Sequence, residues 1–216
     1  MRSIIDIKTS KQNIEYFDAI NFMEKKVDKI LCNEENEMLW FLNHHHIYTC
    51  GTSSNRNEIL SKTNIPILQT NRGGKTTYHG PGQRIVYFMI NLNKRKKDIR
   101  KFVSIIENSV ISLLKEFDIE AKTFPERIGI WVIKSQGNKL SKEKKIGAIG
   151  LRIRKWVAYH GLSFNIDPDL KFYENINACG LKNYSSTSLK NLNINLSDKE
   201  FDKNFKKNFD NNILQL

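Results

Sequence analysis

The stretch that most narrows what this chain can fold into is NRGGKTTYHGPGQ, residues 71–83, where four glycines and a proline separate two apolar runs. IPILQT precedes it and RIVYFMINL follows it. Both are rich in β-branched and aromatic residues and read as strands. Glycine lets a backbone adopt positive φ or come close to a ligand, so a glycine-rich connection carrying Arg72 and His79 is a candidate binding site. The plain alternative is a long hairpin connection with ordinary turn glycines.

Composition limits the alternatives. A chain of 216 residues can bury a proper core, and 39% hydrophobic with 27% charged residues fits a soluble globular protein rather than a disordered one. The first residues, MRSIIDIKTSKQN, lack the apolar core of a signal peptide, and no run reaches the length of a membrane span. Cys32, Cys50 and Cys179 form no CxxC pair, which suits free thiols in a cytoplasmic protein and argues against zinc. The net charge of +12 admits nucleic acid, an anionic membrane or an acidic protein as partner. Part of that excess reflects a general Lys/Asn/Ile bias.

Along the chain, residues 4–7 read as a short strand, with Thr9 or Ser10 as N-cap of the next helix. Ile20, Met23, Val27, Ile30 and Leu31 mark one face of that helix, and Cys32 at its end is expected to be buried. EMLWFL, residues 37–42, reads as a buried strand. His44, His45 and His46 follow. Successive strand side chains alternate faces, so the three cannot converge on one metal ion. Asp98 is placed to cap a helix whose stripe runs from Ile99 through Phe102, Val103, Ile106, Val110, Leu113 and Leu114 to Phe117. Residues 128–133 read as a strand and residues 134–145 as a mobile polar loop. Residues 145–166 read as two strands meeting near Lys155 and Trp156. Ser197 to Glu200 forms a capping box ahead of Phe201, Phe205 and Phe209, one face of a last helix. No linker or repeat divides the chain, so residues 1–216 are expected to form a single domain.

Cys179 sits in a polar Asn-Ala-Cys-Gly-Leu segment where neither periodicity buries it. A thiol attacks only as thiolate, and a neighbouring cation favours that form. Lys145 precedes Ile-Gly-Ala-Ile-Gly, an apolar, glycine-rich setting in which an amine can shuttle protons. The alternative for one lysine in so basic a chain is a solvated surface charge. For His79 and His160 it is a structural imidazole.

The segments R-G-G-x-x-T-Y-H-G-P-G-Q from Arg72, K-I-x-A-I-G from Lys145, H-G-L from His160, C-G at Cys179 and T-S-L from Thr187 together resemble the octanoyltransferases of lipoate biosynthesis. These lipoyl(octanoyl) transferases are relatives of the lipoate and biotin protein ligases. The resemblance implies an α+β fold, a mixed and largely antiparallel sheet flanked by helices. It implies transfer of an octanoyl group from octanoyl-acyl carrier protein, through a cysteine thioester, to a lysine of lipoyl domains. Those acceptors would be the lipoyl domains of 2-oxoacid dehydrogenase complexes and the glycine cleavage H protein. By the match, Cys179 carries the acyl group and Lys145 handles protons. Substrate-binding positions would be Arg72, Gly73, Gly74, Lys75, Thr76, Thr77, Tyr78 and His79, then Ala148, Ile149 and Gly150, then Gly161, Leu162 and Ser163. No cofactor, metal, nucleic acid or membrane is implied. Acyl carrier proteins are acidic, and residues 94–101 or 152–155 are the basic stretches expected to receive one.

Where the family has prolines this chain has His45 and His46, and Asn71 and Ala178 replace the usual aspartate and proline. A lipoate protein ligase, which activates lipoate with ATP, is the nearest rival, but its longer S-G-G-G-type loop is absent. A basic nucleic-acid-binding module is the other rival. It calls for aromatics interleaved with the basic clusters, whereas the aromatics here lie at core periodicities.

Overall fold

The computed structural model describes residues 4–177 and 184–216. The elements are β1 (Ile5–Ile14), α1 (Tyr16–Leu31), β2 (Glu37–His44), β3 (Ile47–Cys50), β4 (Ile67–Gln69), β5 (Thr77–His79), β6 (Gln83–Asn91), α2 (Ile99–Lys115), β7 (Ile119–Phe124), β8 (Arg127–Ser135), β9 (Asn138–Arg154), β10 (Val157–Asn165) and α3 (Asp198–Ile213). Seven strands make one sheet in the order β1-β2-β6-β10-β9-β8-β7, and β4-β3-β5 make a second, smaller one. Among the described strands of the large sheet, β1 and β2 pair in parallel and the other strand pairs are antiparallel.

Strand alternation divides the core into two layers. On one face Val86, Phe88 and Ile90 of β6, with Leu39 and Phe41 of β2, meet α2 and the phenylalanines of α3. On the other face Ile85, Tyr87 and Met89, with Trp40 and Leu42, meet Ala19, Met23, Val27 and Ile30 of α1. The caps expected at Asp98 and Ser197 are present, the second as a complete capping box. Phe201, Phe205 and Phe209 are fully buried.

Some expectations fail for identifiable reasons. Thr9 and Ser10 do not cap α1, because β1 runs on past them beside β2 and the helix starts only at Tyr16, without a side-chain cap. Cys32 is exposed, since it is the C-cap of α1 and has turned off the buried face. The polar segment after β8 is not a mobile loop. β8 and β9 turn into each other at Gln136 and Gly137, which both adopt positive φ (49° and 78°), and β9 begins at Asn138. Backbone pairing holds this ladder, so it needs no apolar pattern. The other turn falls as expected, with Lys155 and Trp156 joining β9 to β10.

Candidate active site

The residues between β4 and β6 are an organised wall rather than an open loop. Arg72 holds it from within. Its guanidinium donates to the Thr49 carbonyl (2.6 Å), the Lys75 carbonyl (2.8 Å), the Gly73 carbonyl (3.0 Å) and the Thr49 hydroxyl (2.8 Å). Gly73 then docks on β9 through N–H to the Leu151 carbonyl (3.1 Å). A Cβ on Gly73 would stand 2.8 Å from that same oxygen, so the approach requires glycine.

Between this wall and the α1 face of the large sheet lies a cavity of about 370 Å³, within the size range of small-molecule sites. Arg72, Gly73, Gly74, Lys75, Thr77 and His79 line it from the wall. Ala148, Ile149 and Gly150 line it from β9, and His160, Gly161, Leu162 and Ser163 from β10. Lys145 stands at the β8–β9 side. Thr76 and Tyr78 are turned away. The Thr76 hydroxyl donates to the Cys50 sulfur (3.6 Å) and its N–H to Glu58 (2.9 Å), while the Tyr78 ring stacks on Phe172 and shares a 2.7 Å hydrogen bond with His46. Three successive residues of a strand cannot all face one side, so Thr77 faces the cavity and its neighbours anchor the second sheet.

The Lys145 side chain is buried across Gly129. Its Nζ donates to the Ile128 carbonyl at 2.8 Å and lies 5.6 Å from the centre of the Trp131 ring. Gly129 has φ +131°, and a Cβ there would lie 2.3 Å from Lys145 Cε and 2.9 Å from its Nζ. A side chain at 129 and an amine in this place are therefore mutually exclusive. Lys145 is also tied by its backbone, which accepts from Thr187 N–H (2.8 Å) and donates to the Ser185 carbonyl (2.9 Å). Upstream of the cysteine segment, Asn177 N–H donates to the Glu58 carbonyl (2.7 Å). Cys179 itself lies outside the described residues.

Three buried imidazoles cluster here: His79 and His160 line the cavity, and His44 packs behind them against Tyr16 and His79. His44 has Nδ1 2.7 Å from the Ile14 carbonyl and Nε2 2.7 Å from the Tyr87 hydroxyl. A carbonyl only accepts, so Nδ1 carries the proton and Nε2 accepts from Tyr87. By the same logic His79 donates from Nδ1 to the Gln83 amide oxygen (2.7 Å). Burial drives the His44 pKa down to about 4 and that of His160 to about 3, where Arg72 adds repulsion. His79 is held well below its ordinary value, by burial first and then by His44 and Arg72. All three rings are neutral at pH 7. His160 adopts φ +60° inside β10, strain of about 1–3 kcal/mol for a non-glycine residue. Its neighbours Ala158 and Leu162 face the α2–α3 core, and the left-handed backbone brings the His160 ring round to the cavity instead. Gly161 is needed beside it, since a Cβ there would lie 2.0 Å from the Val86 oxygen.

Sequence reasoning missed Tyr16, Ile85, Tyr87 and Ile128, which also line the cavity, and Gly129. Only Gly129 had a signal, a lone glycine inside a strand pattern. The three adjacent histidines part company, though not by strand alternation: β2 ends at His44, which is buried, and in the turn before β3 His45 is exposed while His46 joins Tyr78. Among the described residues no cluster of His, Cys, Asp or Glu is arranged to hold a metal ion.

Residues 15–210 match the lipoyl protein ligase A/B catalytic domain. The chain is 42% identical over 192 residues to the octanoyltransferase of Bartonella tribocorum, covering 87% of this chain and 78% of the relative. It is 43% identical over 199 residues to that of Ehrlichia chaffeensis, covering 92% and 91%. The chain belongs to the octanoyltransferases. It is thus a lipoyl(octanoyl) transferase, catalysing octanoyl transfer in lipoate biosynthesis. Among solved structures, the bi-partite lipoate protein ligase of Thermoplasma acidophilum superposes with a TM-score of 0.69 at 14% identity, covering 99% of this chain and 84% of that one. A lipoate-protein ligase A bound with ATP gives 0.67 at 15%, covering 99% and 86%. These two share the fold with the octanoyltransferase, a mixed sheet flanked by helices. No helix among its described residues is long and apolar enough to cross a membrane.

Proposed function

We propose that this octanoyltransferase works through a thioester on Cys179, taking the acyl group from octanoyl-acyl carrier protein. The acceptors are lysines of lipoyl domains in 2-oxoacid dehydrogenase complexes and of the glycine cleavage H protein. The observation that carries this reading is the setting of Lys145. It is a buried lysine on the wall of the cavity, and its backbone is bonded to residues 185 and 187, just downstream of the cysteine segment.

In the first half-reaction the Lys145 amine takes the Cys179 thiol proton, and the thiolate adds to the donor thioester carbonyl. The C–S bond to the carrier breaks, and the departing thiolate takes back the proton. In the second, the acceptor lysine amine attacks the Cys179 thioester, an amide forms and the cysteine leaves as thiolate. Lys145 receives the amine's surplus proton and returns it to the sulfur. The chain of the acyl group lies over Ala148, Gly150, Gly161 and Ser163, where small residues let the backbone come close. Arg72 orders this surface through its loop, and Lys75 at the rim meets the polar part of the donor.

The test is intact mass after incubation with octanoyl-acyl carrier protein. The wild type should gain one octanoyl group, sensitive to hydroxylamine, and Cys179→Ala should gain none. An adduct on Cys179→Ala would refute the assignment. Lys145→Arg keeps charge but not a tunable amine and should form the adduct far more slowly.

A further inference from the structure

Four buried side-chain atoms of cavity-lining residues have no hydrogen-bond partner among the described residues: Arg127 Nε on β8, and Tyr16 Oη, His79 Nε2 and His160 Nδ1. The last three come from the first turn of α1, the end of β5 and the strained point of β10, yet they gather round one spot. The Tyr16 and His79 rings stack with centroids 5.8 Å apart, and His160 meets the Tyr87 ring edge-on at 6.0 Å. Tyr87 cannot serve them with its proton, because its hydroxyl donates to His44; Tyr16 Oη lies near the Tyr87 oxygen, Thr70 and Arg72 but makes no well-aligned bond to any of them. His79 has its proton committed to Gln83, so its Nε2 is a bare acceptor.

We propose that Tyr16, His79 and His160 form a polar end wall that binds water and thereby sets the length of acyl chain the enzyme accepts. The inference rests on the cavity being the acyl site, as proposed above. Buried polar atoms are nearly always hydrogen-bonded, and a site with two to four such partners and enough room retains water. Tyr16 can donate to a water that donates in turn to His79 Nε2. Position supports the role. Lys145 belongs to β9 and turns its amine over β8, whereas Tyr87 and His160 belong to β6 and β10. Across the sheet, wall and amine therefore stand two to three strand spacings apart, roughly 10–15 Å. An extended eight-carbon chain anchored at the Lys145 side brings its methyl end up to the wall. A chain two carbons longer has to expel the water and leave the three atoms unpaired, which apolar carbon cannot compensate. The neutrality of both histidines at pH 7 fits the wall, since no charge is left to be solvated there.

The experiment compares kcat/KM for octanoyl and decanoyl thioesters in the wild type and in Tyr16→Phe, which removes one hydroxyl and little volume. The decanoyl-to-octanoyl ratio should rise on the order of ten-fold in Tyr16→Phe, equivalent to about 1.4 kcal/mol. His160→Asn, which tolerates the left-handed backbone, should move the ratio the same way and serves if the first variant does not fold. Both ratios unchanged, or equal losses for both chain lengths, would overturn the wall. Its failure would leave the thioester reading intact, because that reading fails only if no octanoyl adduct forms on the wild type.

Discussion

At the scale of single residues, the site depends on positions where ordinary side chains are excluded. Gly129 is the clearest. Gly129→Ala places a methyl group where the Lys145 stem lies, so the amine must leave the Ile128 carbonyl. We expect kcat to fall ten-fold or more, about 1.4 kcal/mol per decade, while KM for a small thioester changes little. A loss confined to KM would show that Lys145 had kept its place. The buried histidines make a separate prediction. A ring whose folded pKa lies below its unfolded value of about 6.5 contributes stability at neutral pH and loses it as the unfolded chain takes up the proton. His44, His79 and His160 all shift this way. Stability should therefore decline from about pH 6.5 towards 4, with a slope of up to about 1.4 kcal/mol per pH unit for each ring. Urea unfolding at pH 7 and pH 5 measures it, and equal midpoints would contradict burial of these rings in neutral form.

At the scale of elements, α3 is held by more than its phenylalanines. Arg84, buried in β6, reaches Asp202 with two nitrogens at 2.8 and 2.6 Å and Asp198 at 3.3 Å. Asp202→Ala takes two of the guanidinium's bonds and leaves Nε and one terminal nitrogen buried without partners, with only Asn43 (2.7 Å) and Asp198 still bonded, so it should cost about 3 kcal/mol. Arg84→Met, which removes the charge as well, should cost less; the reverse order in thermal melts would refute this account. Nothing in the sequence around Arg84 announced that fork, because it joins residues more than a hundred positions apart. What the sequence did show was local. The 3.6-residue stripe of α2, the capping box of α3 and the turn at Lys155 and Trp156 each leave a mark within a few residues. Glycines 73, 150 and 161 pointed to the cavity because close approach leaves only one residue type able to stand there, and Gly74 because its φ of +90° favours glycine. Tyr16 left no such mark, since a buried tyrosine that ends in a cavity looks in sequence like one that ends in a core. The β8–β9 ladder was illegible for the opposite reason: its strands are held by backbone bonds that polar side chains do not betray.

At the scale of the whole molecule, the positive charge becomes useful only where it is unspent. Arg95 of the basic run is paired with Glu37, and Arg152 and Arg154 face Glu24 and Asp28 on α1. Lys94, Lys97 and Lys155 remain exposed, and they are neighbours: Asn93 binds the Lys155 carbonyl and Lys97 lies 5.7 Å from the centre of the Trp156 ring. Changing these three lysines to glutamate should lower kcat/KM for carrier-bound octanoate several-fold and flatten its salt dependence. Small octanoyl thioesters should be unaffected, and equal losses for both donors would rule the surface out. The strand order has a further consequence, in time rather than space. β7 to β10 form a meander of neighbours in sequence, whereas the rung joining Tyr87 to Gly161 unites distant stretches. Contacts between distant stretches close slowly, so the meander should assemble first and β6 should dock on it later. The cavity straddles that last seam. During refolding, strand signal in the far ultraviolet should thus return well before octanoyl transfer does, and a chain caught between the two would be folded in most respects yet have nowhere to put its substrate.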